Sequence, residues 1–228
     1  MPWARTSHNH GENVVEEFKI VTDHVTDISP IRVFDSLRVL ECPGTQDPTN
    51  LRKNGQLADL TPLKGMNLAG LTQLNLGWTK VSDAGLDHFK GCKNLTALLL
   101  NHTQVTDVGL AHFKDCKELT GLDLAWTQVT AAGLAHFKDC KNLGFLGLSG
   151  TQVTDAGLAH FKNCKNMANL FFDHTKVTDL SLLKEMPLKE LSCDFRPERD
   201  GEILRSIKTL ETINGKPAAE FWKDVEKK

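Results

Sequence analysis

At 228 residues, with 40% hydrophobic and 25% charged side chains, the chain is long enough to bury a sizeable core, and its composition is that of a soluble globular protein. A formal net charge of −2 removes the long-range pull toward polyanions, which disfavours nucleic acid and anionic membranes as partners. No apolar run approaches the roughly eighteen residues of a membrane span, and Met1 to Phe18 lack the apolar core of a signal peptide, so a cytoplasmic protein with no membrane partner is expected.

Residues 1–14 read as a polar N-terminal tail; its His8-Asn9-His10 triplet has no supporting ligands and implies no metal site. From Val15 a spaced set of apolar residues begins (Val15, Phe18, Ile20, Val25), and a second starts at Leu37 with Leu40 and Cys42. The second set is followed by an insertion, roughly Gln46 to Gly55, expected to loop out. From Leu71 the pattern becomes regular: LTQLNLGWTKVSDAGLDHFKGCKN, then LTALLLNHTQVTDVGLAHFKDCKE, LTGLDLAWTQVTAAGLAHFKDCKN and LGFLGLSGTQVTDAGLAHFKNCKN. Two weaker sets follow, at Met167, Leu170, Phe172 and Val177 and at Leu188, Leu191 and Cys193.

The central period is 24 residues and its frame is L-x-x-L-x-L-x-x-T-x-V, the leucine-rich-repeat pattern with Thr where Asn or Cys is more usual. Residues two apart on a strand share a face, so Leu74 and Leu76 point inward while Gln73, Asn75 and Gly77 point out. Ser82, or Thr at that place in later coils, is a good N-cap, and Leu86 and Phe89 then fall on one helical face that covers the sheet. No coil can bury its apolar side alone, so stability comes from stacking. The predicted fold is α/β: a leucine-rich-repeat solenoid, or horseshoe, of about eight coils over residues 15–196, with a parallel concave sheet and helices and short turns on the convex side. Ile203, Leu204, Ile207 and Leu210 at helical spacing, the Asn214-Gly215 turn and Pro217 before Phe221, Trp222 and Val225 predict a helical C-terminal cap over residues 197–228.

Three rows recur once per coil and read as structural. Cys92, Cys116, Cys140 and Cys164 would lie about 8–10 Å apart on the helical side, beyond the roughly 4.4–6.8 Å that a disulfide spans. They read as small buried hydrophobes. His88, His112, His136 and His160 are expected to face solvent, too far apart to share a metal. Thr79, Thr103, Thr127, Thr151 and Thr175 are placed to hydrogen-bond the turning backbone. Neither metal nor cofactor is implied, and none of the nucleophile, zinc-hydrolase or phosphate-loop motifs occurs, so no enzyme is expected.

Function is sought where coils differ on an exposed surface. On the concave face one position runs Trp78, His102, Trp126, Gly150, His174 and Phe195, with Leu99, Phe145 and Phe171 beside it and Asn75, Asn101, Asp123 and Asp173 interspersed. Apolar anchors with a polar rim predict a protein-binding surface. If His102 and His174 contact the partner, affinity should change between about pH 7.5 and 5.5. The convex lysine rows, Lys90, Lys114, Lys138 and Lys162 with Lys93, Lys117, Lys141 and Lys165, are interrupted by acids and read as a solvated face.

The phrase T-x-V-T-D-A-G-L-A-H-F-K-x-C-K-N-L resembles the cysteine-containing repeats of F-box-type substrate receptors and, more closely, leucine-rich-repeat proteins of planctomycete-type bacteria. DLTPLKGM, DLSLLKEMPLKELSCDF and ERDGEILRSIKTLETINGKPAAEFW are similar to repeat tails that follow serine/threonine kinase domains in those bacteria. The resemblance implies an interaction module with a protein partner, monomeric by default. The alternative is a structural spacer or a sensory or regulatory tail of a larger kinase-type protein, with a passive surface. No kinase motif and no F-box is present, so neither activity carries over.

Overall fold

A computed structural model describes residues 4–5, 15–45 and 55–227. The tail triplet His8-Asn9-His10 and most of the insertion lie outside the described residues.

One sheet of eleven strands runs the length of the described chain in sequence order. β1 (Ala4–Arg5) pairs antiparallel with β2 (Glu17–Ile20). Parallel pairing then passes through β3 (Val39–Glu41), β4 (Gln73–Asn75), β5 (Ala97–Leu99), β6 (Gly121–Asp123), β7 (Phe145–Gly147), β8 (Asn169–Phe171) and β9 (Glu190–Ser192). The register is uniform: Leu40, Leu74, Leu98, Leu122, Leu146, Leu170 and Leu191 align. All of them are fully buried. Each central coil carries its helix-side Leu and Phe into the same core, Leu110 with Phe113 and Leu134 with Phe137 being wholly enclosed. Truncating any such leucine to alanine removes about 2–5 kcal/mol.

The helical side is shorter than the spacing predicts. α1 (Asp107–Leu110), α2 (Ala131–Leu134) and α3 (Asp155–Leu158) are single turns, each tightened into a 3-10 turn that ends at the core Phe. The predicted N-caps hold at Thr106 and Thr130, whose hydroxyls accept from the amides of Val108 and Ala132. Ser82 does not cap. In its coil the first turn is absent and a 3-10 turn begins at Leu86, because the neighbouring coil offers only the short Thr61–Leu63 turn and its Leu60 presses against Gly85.

The threonine row acts as expected: Thr79, Thr103, Thr127 and Thr151 each donate a 2.6 Å hydrogen bond to the carbonyl three residues earlier. The cysteines do more than fill space. All six are free and buried, and the thiols of Cys116, Cys140 and Cys164 each donate to the carbonyl of the cysteine one coil earlier, at 3.0, 3.2 and 3.4 Å. The histidine row, expected in solvent, is half-buried: coils stack on both flanks of so short a turn, leaving the His88 side chain 15% exposed and its Nε2 enclosed.

The sheet does not stop at the last repeat. β10 (Thr212–Ile213) pairs parallel with β9, and the Asn214-Gly215 turn returns the chain through β11 (Lys216–Pro217) into α5 (Ala218–Glu226). The amide of the Asn214 side chain bonds both the N–H and the C=O of Cys193, as a further strand residue would. Before β10, α4 (Pro197–Ser206) is fixed by the buried Asp200 carboxylate, which accepts from the Arg196 amide and from the Arg199 guanidinium.

Candidate functional site

The aromatic row sits where each strand bends toward its helix. Trp78, His102, Trp126 and His174 all adopt the left-handed backbone conformation, with φ between 54 and 58°. Non-glycine residues there cost of order 1 kcal/mol each. Gly150, at φ 70°, occupies the same place in the fourth coil of this row. A glycine in a column of large residues was the one signal in the sequence that this column is left-handed.

The rings stack along the solenoid. Trp78 and His102 lie 3.4 Å apart between centroids at 17°, and His102 and Trp126 5.7 Å apart at 21°. Gly150 does not interrupt the row. The Trp126 ring leans over it, so that a Cβ at 150 would come within 2.5 Å of the indole, and reaches to 5.8 Å from His174. Trp126 and His174 are the open members of the row, Trp126 at 48% exposure, while Trp78 and His102 largely cover one another. Burial holds the His102 imidazole down to about 4. The expected charging of His102 between pH 7.5 and 5.5 therefore does not occur, because its ring is flanked by two indoles and shielded from water.

Phe195 leaves the row. It packs on Phe221 and Trp222 at 5.0 and 5.8 Å, and together with Phe221 and Val225 it lines a half-open pocket of about 250 Å³ between the last coil and α5. The other candidates lie on the open sheet face. Phe145 and Phe171 meet edge to face at 5.6 Å. Leu99, Asn75 and Asn101 are half-buried beside the stack, and Asn75 accepts the Gly77 amide at 3.0 Å.

Two carboxylates on this face lean toward the same strand. Asp123, on β6, is positioned by the Ala125 amide at 3.1 Å, and its Oδ1 occupies the space where Gly147 would carry a Cβ. Asp173, just after β8, accepts from the Ser149 hydroxyl at 2.7 Å and lies 3.9 Å from His174. Between them the β7 coil presents Gly144, Gly147 and Gly150. Burial pushes the Asp123 carboxyl up to about 6, against the opposing hydrogen bond from the Ala125 amide. From sequence the small residue Gly150 reads as a gap in the row; in the structure the Trp126 ring fills it, as the Asp123 carboxylate fills the place beside Gly147.

Among the described residues no group of three or more His, Cys, Asp or Glu is placed to hold a metal ion, and no helix is long and apolar enough to cross a membrane.

A continuous parallel sheet built from stacked coils, one buried leucine set per coil and an open face of variable residues, defines a leucine-rich-repeat solenoid. The chain belongs to the BspA-type leucine-rich-repeat family, whose model matches six copies across residues 67–184. No curated protein is recognisably similar in sequence. Among solved structures it is similar to internalin C2 of Listeria monocytogenes, with a TM-score of 0.65 and 26% identity over 87% of this chain and 80% of that one. A leucine-rich-repeat protein of Leptospira interrogans shares the fold, with a TM-score of 0.58 and 20% identity over 82% of this chain and 51% of the other.

Proposed function

We propose that the protein is a non-enzymatic recognition module that binds a protein partner on the open sheet face, with Trp126, His102, Trp78 and Phe171 at the centre of the contact. The observation that carries this reading is the aromatic row itself. Buried residues are nearly identical from coil to coil, yet the exposed column holds large rings at backbone positions that favour glycine. The left-handed backbone favours Gly or Asn over Trp there, whereas binding favours Trp, since tryptophan is among the residues enriched at the energetic centre of an interface. Solenoids of stacked repeats present extended faces suited to such contacts.

Affinity capture, followed by binding measurements with the recovered partner, tests the reading. Trp126→Ala should weaken the partner about thirtyfold or more, the usual cost of losing a central anchor of about 2 kcal/mol. Lys138→Ala, on the helical side, should leave affinity unchanged. A second reading, in which the rings only brace a passive spacer, is favoured by the 3.4 Å contact of Trp78 with His102. That reading expects Trp126→Ala to lower the melting temperature and to leave capture intact.

A further inference from the structure

The open face is predominantly acidic, with His174 3.9 Å from Asp173 at its edge. From β5 to β9 the outward residues of the sheet and its bends include Asp123, Asp173, Glu190 and Asp194, while the one cation on these strand entries, Lys189, is paired with Glu211 at 3.5 Å. The lysine rows lie on the helical side. The same face carries the exposed Trp126 ring and the Phe145–Phe171 pair, so its chemistry is acidic and aromatic together.

We infer that the face takes an extended peptide segment presenting an arginine, whose guanidinium sits between the Asp123 and Asp173 carboxylates, above the covered Gly147 and Ser149 of the β7 coil. This rests on the proposed partner-binding role of the sheet. Strands of a sheet are about 4.8 Å apart, so β6 and β8 stand roughly 10 Å from each other across β7. Both carboxylates lean inward over that interval, Asp123 toward Gly147 and Asp173 onto Ser149. Glycine at 147 lets the Asp123 carboxylate lie in that interval, where a side chain on β7 would displace it. Arginine fits better than lysine because its planar fork carries five donors and can serve two carboxylates at once, while its stem lies against the neighbouring rings. The ring faces of Trp78 and His102 are covered by one another, which disfavours a flat sugar platform.

The complementarity has a cost that a partner would relieve. Asp123 is withdrawn from water with an amide as its donor. A guanidinium beside it restores the solvation that burial removes.

The test uses the full chain and a short fluorescent peptide of alternating leucine and serine with arginine at its centre, compared with versions carrying lysine, citrulline or glutamate there. The arginine peptide should bind most tightly, lysine several-fold less, and citrulline and glutamate at least tenfold less. Asp123→Asn, which keeps an acceptor for the Ala125 amide, and Asp173→Asn should each weaken the arginine peptide about tenfold and leave citrulline binding unchanged, while Asp139→Asn on the helical side alters neither. Equal binding of arginine and citrulline, indifference to both aspartate variants, or no binding of the arginine peptide up to millimolar concentration overturns the inference. Failure of the two readings is separable. If Trp126→Ala weakens all peptides alike and the aspartate variants do nothing, the sheet face is the docking surface and its charge preference is not.

Discussion

The Asp107 carboxylate holds Thr130, one coil further on, by two hydrogen bonds, from the backbone amide at 2.8 Å and from the hydroxyl at 2.6 Å. Asp83 grips Thr106 with the same two distances, and Asp155 grips Thr178 at 2.7 and 3.0 Å. From the Leu71 coil to the Met167 coil the clamp is missing at one seam, where Ala131 stands in the aspartate's place and Thr154 has no such partner. Ala131 lies against Gly157 as Asp107 lies against Gly133. Ala131→Asp should therefore complete the row and stabilise the fold by about 1 kcal/mol, raising the melting temperature by roughly 2–4 °C. An unchanged or lower melting temperature would show that the clamps carry no net energy.

The thiol ladder makes two predictions that can be measured together. Burial pushes the thiols of Cys92, Cys116 and Cys140 up to about 12, so thiolate is scarce at neutral pH and modification by a thiol reagent should occur only as fast as the chain opens. Cys116→Ala, which deprives the Cys92 carbonyl of its donor, should cost roughly 1–3 kcal/mol. Rapid labelling of the native protein, or an alanine variant as stable as the wild type, would contradict this.

His102 links the aromatic stack to pH. Its ring charges near 6.5 when the chain is unfolded and near 4 when folded, so the unfolded state binds the extra proton in between. The contribution is fully present above pH 6.5 and is lost as pH falls through 4. Compared with His102→Phe, the wild type should lose more melting temperature on acidification from 6.5 to 4. Parallel losses in the two proteins would place the ring in water instead.

Asp123 has the opposite sign. Its folded value near 6 lies above the ordinary 3.8, so its contribution is complete below 3.8 and is lost as pH rises through 6. Asp123→Asn should accordingly be more stable than the wild type at pH 7.5, with the difference vanishing near pH 4. A variant that gains heat stability while losing the arginine peptide would identify a charge kept at the expense of the fold.

The periodic part of the molecule was legible because a stack of coils repeats one physical problem. Leu74, Leu98, Leu122 and Leu146 fill the same place in each turn, and a 24-residue spacing leaves their register no freedom. Ends and exceptions were not. β10 contributes two residues to the sheet, too few for a period, and the Asn214 side chain completes that edge in a way no pattern shows. Ser82 has the right type for a cap but the wrong neighbour. The aromatic column was found as residues but not as geometry: that Trp126 lies over Gly150, and that Phe195 turns away toward Phe221, depend on contacts between elements far apart in sequence.

The unclamped seam between Ala131 and Thr154 joins the coil that carries Trp126 and Asp123 to the coil of Gly147 and Gly150. On the helical side it lacks the aspartate bridge that ties its neighbours, and on the sheet side it is spanned by an indole resting on a bare backbone. Cohesion across this seam therefore rests on the strand ladder, the packed leucines and the Cys164 thiol hydrogen bond, without the carboxylate tie that the adjoining seams add.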